Sequence, residues 1–287
     1  MMRDDLHIVL DSIAILGETP LKDDPRCHEI RLSVQHGNIE WRDGDKPLAE
    51  MFDMVAASGE LPKTSQPPLG EFLDLFTTLV KQGKKVLYIA LDGVLSGTIQ
   101  TGRLAARQVM EDVPTADIRV VDGLTCGPAL AGMAMAVLDY NDEGVTMDEI
   151  EAYAQDVAQR TETIFTISTL DYLYKGGRIG AVGSLVGNLL GIMPIIHLNK
   201  KGEITIADKI RTRKKLLQKM LDLSAQYAPF EALYVAHAES SADAEFLRAG
   251  LAQRYPNLPI LVAGIGTVLA AHLGPGVIGI FLRRKKA

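Results

Sequence analysis

The stretch Lys85-Val-Leu-Tyr-Ile-Ala-Leu91, followed by Asp92-Gly-Val-Leu-Ser-Gly-Thr98, decides the fold class of this chain. Its first part is a near-continuous aliphatic run that stops at a polar turn, which predicts a strand buried on both faces. Ser96 then predicts the start of a helix that runs to about Glu111, and Ile118–Val121 predicts the next strand. Strands that alternate with helices in this way are typical of a parallel sheet covered by helices on both sides.

The same pattern continues toward the N-terminus. His7–Leu10 predicts another strand, and Leu69–Val80 has the apolar spacing of an amphipathic helix. The region around Pro20, Pro25 and Trp41 has neither period, and we expect it to be irregular.

The second half of the chain has a different character. Pro194–Leu198 and Glu203–Ile210 flank a turn and predict a β-hairpin, which favours a mixed sheet. We therefore predict an α/β protein of two domains. Residues 1–160 would form a three-layer α/β/α domain with a mainly parallel sheet, and residues 161–287 would form an α/β domain with a mixed sheet.

The composition narrows the class of protein. The 287 residues include 30 Lys and Arg against 36 Asp and Glu, so the formal net charge of −6 argues against a general nucleic-acid binder. Two cysteines, Cys27 and Cys126, are too few for a disulfide framework and predict a reducing compartment. The acidic opening is unlike a signal peptide, and glycines and prolines interrupt the longest uncharged stretch, so we expect a cytoplasmic protein without stable membrane insertion.

Polar turns follow the predicted strands of the first domain, and the carboxyl ends of parallel strands meet at one edge of a sheet. Taken singly, these are ordinary turn and cap residues. The hydroxyl-rich stretch Lys63-Thr-Ser-Gln-Pro67 and Ser96 each precede a predicted helix, whose first N–H groups are unpaired. Together they predict a site where neutral donors hold a carboxylate or phosphate head group. The turn residues expected near it are Asp11, Ser12, Gly97 and Thr98.

A second pattern lies in the predicted helix Ile179–Leu190. Gly183, Gly187 and Gly191 recur every four residues, although each glycine costs a helix about 1 kcal/mol relative to alanine. Either another helix packs closely on this face, or the face forms a groove for an apolar chain. In the second case Gly183, Gly187, Leu190 and Ile192 would line an acyl pocket. The preceding Tyr174–Gly180 stretch lacks the spacing of a phosphate-binding P-loop.

Two further features have open interpretations. The basic cluster Lys209–Lys215 is either a solvated helix start or a docking surface. His272, in Ala-His-Leu-Gly-Pro-Gly, is either structural or chemical. The histidines and cysteines do not have the spacing of metal ligands, so we predict neither a metal nor a cofactor.

Taken together, these motifs resemble the DegV family of bacterial fatty-acid-binding proteins. The matching stretches, in chain order, are Leu61–Pro67, Leu95–Thr98, Asp171–Ile179, Gly191–Ile196, Arg211–Lys215 and Ala271–Gly276. The resemblance implies two α/β domains with a long-chain fatty acid buried between them. It also implies that the chain itself is not an enzyme. A separate fatty acid kinase would receive the bound acid and form an acyl-phosphate for phospholipid synthesis.

The resemblance also implies roles for individual residues. Thr64 and Ser96 would hydrogen-bond the carboxylate, His272 would lie near the head group, and Arg211 would face the kinase. The first domain would carry the head-group site, and the second would line the acyl pocket. The chain departs from the family at Leu10-Asp-Ser-Ile-Ala-Ile15, where a Thr-Asp-Ser-Thr-Ala-Asp type of opening is usual, and at Asp92-Gly93, where two serines are usual.

Two alternatives remain open from the sequence. One is a serine-dependent hydrolase with Ser96 as nucleophile, His272 as base, and Asp11 or Asp92 to orient the base. The order Gly93-Val-Leu-Ser96-Gly97 is one residue out of register for a G-x-S-x-G elbow. The other is a docking or regulatory module with no buried ligand.

Overall fold

The computed structural model describes residues 5–141, 144–180, 183 and 191–286. The strands, in chain order, are β1 (Leu6–Asp11), β2 (Cys27–Ile30), β3 (Ser33–His36), β4 (Ile39–Arg42), β5 (Lys63–Ser65), β6 (Lys85–Ala90), β7 (Ile118–Asp122), β8 (Thr161–Thr166), β9 (Met193–Leu198), β10 (Ile204–Ile210), β11 (Phe230–His237), β12 (Ile260–Gly264) and β13 (Ile278–Arg284). The α-helices are α1 (Leu48–Ser58), α2 (Leu69–Lys81), α3 (Thr98–Asp112), α4 (Pro128–Asn141), α5 (Met147–Arg160), α6 (Asp171–Lys175), α7 (Arg213–Ala225), α8 (Ser241–Arg254) and α9 (Thr267–Leu273).

The chain forms two compact units, which do not follow one another in the sequence. The first unit combines residues 1–32 with residues 65–159, and the second combines residues 33–64 with residues 160–287. None of the helices in the described ranges is long and apolar enough to cross a membrane.

The first unit is built on a parallel four-stranded sheet in the order β2-β1-β6-β7, as its aliphatic strands predict. Val86, Tyr88 and Ala90 point to one face, where α2 and α3 cover them. Leu87 and Ile89 point to the other face and are fully buried too, and α4 packs against β1 and β6. The predicted layered α/β architecture is therefore confirmed.

The second unit contains the predicted mixed sheet, with six strands in the order β10-β9-β8-β13-β11-β12. The β9–β10 hairpin forms where the sequence predicts it, with Ile204 opposite Leu198. Strands β11 and β12 are parallel, and the other neighbouring strands are antiparallel. A smaller sheet in the order β4-β3-β5 lies in the inserted part of the chain.

A single boundary at residue 160 does not separate the two units, because residues 33–64 pack with the second one. The region around Trp41 that we expected to be irregular forms β3 and β4, and β3 and α1 pack against α9. This packing buries Trp41, which a solvent-exposed linker would leave accessible. These contacts join segments that are more than 200 residues apart in the chain, so local sequence patterns do not predict them.

Candidate functional site

Asp11 anchors the loop that follows β6 in the first unit. Its Oδ1 accepts a hydrogen bond from the Tyr88 hydroxyl at 2.6 Å, and its Oδ2 accepts one from the Leu91 N–H at 2.6 Å. The carboxyl group is fully buried, and this desolvation raises its pKa to about 7 against the opposing effect of the two hydrogen bonds. The neighbouring Ser12 Oγ accepts the Leu32 N–H at 3.3 Å. Both predicted head-group residues therefore hold the protein's own backbone.

Two further carboxylates hold the next residues of this loop. Asp122 accepts the Gly93 N–H at 3.2 and 3.3 Å, and Asp92 Oδ1 accepts the Val94 N–H at 2.7 Å. Gly93 leaves room for this carboxylate, since a Cβ at this position would lie 2.8 Å from Asp122 Oδ2 and would have to displace it. Asp92 is fully buried, and its Oδ2 has no hydrogen-bond partner among the residues described. Burial, followed by the charge of Asp122, raises the pKa of Asp92 to about 6.

The loop ends by presenting Ser96 just before α3. The helix begins at Thr98 with Gly97 as its N-cap residue, so Ser96 lies one position earlier than a capping residue. The Thr98 N–H donates to Ser96 Oγ at 3.3 Å, and the two hydroxyl oxygens are 2.7 Å apart. Gln66 packs against Gly97, where a Cβ would lie 2.8 Å from its Oε1. Ser96, Gly97 and Thr98 thus form one compact hydroxyl-bearing turn.

The second unit brings together Thr64 and His272, two residues that the sequence singles out separately. Thr64 on β5 and His272 on α9 are 208 positions apart, and Thr64 Oγ1 lies 2.7 Å from His272 Nε2. The imidazole ring packs against Gly176, where a Cβ would lie 2.6 Å from Nδ1. Burial, assisted by the charge of Arg178, lowers the pKa of His272 to about 4. The imidazole is therefore neutral at pH 7.

These contacts give the hydrolase hypothesis no support. A catalytic histidine needs its second nitrogen bound to an orienting acceptor, whereas His272 Nδ1 has no hydrogen-bond partner in the described part of the chain. The carboxylate of Asp11 is occupied by Tyr88 and Leu91. His272 Nε2, the atom that would serve as base, is bonded to Thr64.

The predicted acyl pocket falls largely outside the described residues, which do not include Gly187 or Leu190. Among the described residues, a Cβ at Gly183 would meet Ile179, at the ordinary distances of 3.5 and 3.7 Å. Ile192, just before β9, is partly exposed. The assignment of these four residues to an acyl pocket stays a prediction.

The basic cluster divides into two groups. Arg211, Lys214 and Lys215 are exposed around the start of α7. Arg213 instead pairs with Asp243 at 2.7 Å and donates to the carbonyl oxygen of Gly276 at 2.9 Å, so it fixes the loop that follows α9.

The described residues include no group of three or more His, Cys, Asp or Glu side chains that could hold a metal ion. Burial raises the pKa of both Cys27 and Cys126 to about 12, so both are protonated thiols at neutral pH. The hydrogen bond from Tyr88 to Asp11 was not predicted from the sequence. A tyrosine in an otherwise aliphatic strand is the available signal, because a buried phenol needs a hydrogen-bond partner.

Known proteins resemble this chain along its whole length. The family model described as "Uncharacterised protein, DegV family" matches residues 5–285. A DegV domain-containing protein of Clostridium perfringens is 30% identical over 279 residues, which are 96% of this chain and 96% of that protein. The solved fatty acid binding DegV family protein from Streptococcus agalactiae is 28% identical with a TM-score of 0.88, covering 98% of this chain and 99% of that one. A solved fatty acid (stearic acid)-binding protein from Eubacterium ventriosum is 26% identical with a TM-score of 0.86, covering 97% and 98%.

Proposed function

Because the chain belongs to the DegV family, we propose that it binds a long-chain fatty acid and holds the carboxylate with the hydroxyl groups of Thr64 and Ser96. The observation that carries this proposal is the whole-length similarity to the Streptococcus agalactiae protein, which binds fatty acid. The hydroxyl-bearing turn of the first unit and the Thr64–His272 pair of the second supply donors of the type that a carboxylate needs.

Thr64 suits this role because its hydroxyl group keeps a proton for the ligand. We assign the single imidazole proton of His272 to Nε2, which then donates to Thr64 Oγ1 across 2.7 Å. This tautomer leaves the buried Nδ1 as an unfilled acceptor, which is less costly than an unfilled donor. The Thr64 proton is then available to a carboxylate oxygen, whereas the opposite tautomer would use it in the bond to the imidazole.

The hydroxyl group of Ser96 can also keep its proton for the ligand, because Thr98 supplies donors to its oxygen. Its oxygen accepts the Thr98 N–H at 3.3 Å, and the Thr98 hydroxyl, 2.7 Å away, can donate to the same oxygen. The Ser96 proton then points to the ligand. Each of the two hydroxyl groups thus has a donor behind it and keeps its own proton for a carboxylate.

The balance of forces fits a carrier. Burying about fourteen methylenes contributes roughly 11 kcal/mol, at about 0.8 kcal/mol each. Association and ordering costs remove several kcal/mol of this, and tight binding still results. Neutral donors suit a carrier, because an arginine salt bridge would hold the carboxylate more firmly and hinder its transfer. We propose that the protein carries the acid unaltered, without a cofactor or metal.

The destination of the ligand follows from the family resemblance. We propose that the chain presents the carboxylate to a separate fatty acid kinase in the cytoplasm, which forms the acyl-phosphate used in phospholipid synthesis. The exposed Arg211, with Lys214 and Lys215 beside it, supports a docking surface at the start of α7. The first unit would contribute the Ser96 side of the head-group site, and the second would line the acyl pocket.

The experiment that tests this function is an extraction of the purified protein with organic solvent, followed by mass spectrometry. We expect one long-chain fatty acid per protein molecule. A hydrogen bond to a charged group contributes about 1.5–3 kcal/mol, so Thr64→Val and Ser96→Ala should each speed the loss of stearate to lipid vesicles about tenfold or more.

Thr205→Val is the matched control, because the one hydrogen bond of the Thr205 hydroxyl among the described residues goes to a strand carbonyl, that of His197, at 2.9 Å. Its stearate release should equal that of the unmodified protein. Equal release from the Thr64 and Ser96 variants would contradict the site assignment. A protein that contains no fatty acid and does not bind added stearate would contradict the function.

A further inference from the structure

The inserted segment of residues 33–64 supplies more to the head-group site than Thr64. Thr64 lies on β5, one edge strand of the small sheet, and β4 is the other edge strand. Asp43 follows β4 directly and is 3% exposed. One small sheet therefore carries Thr64 at one edge and a buried carboxylate at the other.

The carboxylate of Asp43 is bound to the start of α9, the helix that carries His272. Asp43 Oδ1 accepts the Val268 N–H at 3.1 Å and the Thr267 hydroxyl at 3.0 Å. The Val268 N–H belongs to the first turn, where a helix cannot satisfy its own donors. Asp43 therefore acts as a cap, although it lies more than 220 positions away in the chain.

Trp41 and Gly266 support the contact between Asp43 and the start of α9. Trp41 Nε1 donates to Thr267 Oγ1 at 3.2 Å, so the hydroxyl of Thr267 links the indole to the carboxylate. Gly266 precedes the helix, and a Cβ there would lie 2.6 Å from Asp43 Oδ1. A larger residue at position 266 would have to displace this carboxylate. The N-cap residue of α9, Gly266, gives the helix no side-chain cap of its own.

The length of α9 makes its position dependent on such contacts. A helix of seven residues has little stability of its own, so its placement follows from what holds its ends. His272 is the sixth residue of α9, and a hydrogen bond of 2.7 Å to Thr64 tolerates little displacement.

We propose that Asp43 is a positioning residue for the head-group site: its carboxylate fixes the start of α9 and thereby holds His272 Nε2 against Thr64 Oγ1. The small sheet thus sets both members of the pair, Thr64 directly and His272 through Asp43 and α9. This inference rests on the proposed function, in which Thr64 needs His272 behind it to offer its proton to a carboxylate.

The test uses the full chain loaded with stearic acid labelled with 13C at the carboxyl carbon. Asp43→Ala should raise the rate of stearate release about three- to tenfold and shift the 13C carboxyl signal toward its position in His272→Ala. Asp43→Asn should release stearate more slowly than Asp43→Ala, because an amide oxygen can still accept the Thr267 hydroxyl and the Val268 N–H. In a His272→Ala background, Asp43→Ala should add no further increase.

Thr146→Ala is the matched control, since it removes the capping box of α5, in which Thr146 Oγ1 accepts the Glu149 N–H at 3.3 Å. It should lower stability without changing stearate release. If Asp43→Ala does not fold, Thr267→Val removes the hydroxyl donor to Asp43 Oδ1 and should change release in the same direction, by less. Unchanged release from the folded Asp43→Ala or Thr267→Val protein, or a further increase in the His272→Ala background, would overturn the proposal.

The positioning role can also be judged without fatty acid. In the ligand-free protein, Asp43→Ala should shift the imidazole 15N signals of His272, and Asp43→Asn should shift them less. An unmodified protein that does not retain stearate contradicts the proposed function. Unmoved imidazole signals in Asp43→Ala contradict the positioning role.

Discussion

The pKa values of His272 and Asp11 are shifted in opposite directions, and burial is the main cause of both shifts. Burial, with a smaller contribution from Arg178, lowers the pKa of His272 to about 4. Burial raises the pKa of Asp11 to about 7. Both shifts favour the neutral form, because burial penalises the charged form of each group. The hydrogen bonds of each group then determine what it does, since His272 bonds Thr64 and Asp11 bonds Tyr88 and Leu91.

We predict that His272 contributes to acid sensitivity. Its pKa is about 4 in the folded protein against the ordinary value of 6.5, so the unfolded chain binds more protons between these values. The stability that depends on a neutral His272 is fully present above pH 6.5 and is lost as the pH falls toward 4. Urea unfolding at several pH values should show the stability gap between the unmodified protein and His272→Gln narrowing as the pH falls. A gap that is constant from pH 7.5 to 4.5 would contradict the assignment.

For Asp11 we predict the opposite pH dependence of stability, which Asp11→Asn tests by the same urea unfolding. The pKa of Asp11 is about 7 when folded against 3.8 for an ordinary aspartate, so its contribution is present at low pH and is lost as the pH rises toward 7. The Asn variant does not titrate. Its stability relative to the unmodified protein should therefore improve as the pH rises from 4 to 7.

At the scale of elements, the contact between α3 and β6 sets the position of the Ser96 loop. Gly102 of α3 faces Tyr88 of β6, whose ring also meets Phe72 in an edge-to-face contact with centroids 5.3 Å apart. The Tyr88 hydroxyl reaches Asp11, which holds Leu91 at the start of the loop. Gly102 therefore leaves space between α3 and β6 for the ring of Tyr88.

We predict that Gly102→Ala is destabilising, although alanine favours helices. A Cβ at this position would lie 2.4 Å from Tyr88 Cε1 and 3.3 Å from Phe72, both of which are fully buried. The cost should be about 1–3 kcal/mol in the free energy of unfolding. Gly70→Ala in α2 is the matched control, because a Cβ there would have no atom of the described residues within 4 Å. Chemical denaturation should show the control unchanged or slightly more stable, and equal stabilities for the two variants would contradict the packing argument.

At the scale of the whole molecule, the chain passes between the two units three times. It begins in the first unit, enters the second for residues 33–64, returns to the first for residues 65–159 and ends in the second. Residues 33–64 contribute β3, β4, α1 and most of β5 to the second unit, where β3 and α1 pack against α9. The second unit is therefore discontinuous in sequence. A fragment cut at residue 160 would lack these elements.

We predict that residues 161–287 alone do not form the native second unit. Without residues 33–64, the faces of α9 that β3 and α1 cover would be exposed, and Asp43 would no longer hold the start of the helix. Adding residues 33–64 through a flexible linker should restore a cooperative thermal transition, measured by circular dichroism. A cooperative transition in the shorter fragment, equal to that of the longer one, would contradict this prediction.

The sequence by itself determined the features whose causes are local. Aliphatic runs specified the strands β1, β6 and β7, apolar spacing specified α2, and a turn between two β-rich stretches specified the β9–β10 hairpin. Thr64, Ser96 and His272 could be selected as well, because hydroxyl groups before helices and a histidine between tight turns are visible in the order of residues.

Only the tertiary structure decided which of these residues meet and which serve the fold. In the folded chain, Thr64 contacts His272 across 208 positions, and residues 33–64 pack with the second unit. Asp11 and Ser12 each accept a hydrogen bond from a backbone N–H. The physical reason is that a hydrogen bond or a buried ring depends on distance in space, and the separation along the chain does not limit it. Local patterns carry the tendency of each segment to form a helix or strand, whereas the partner of a polar side chain is settled only when distant segments pack.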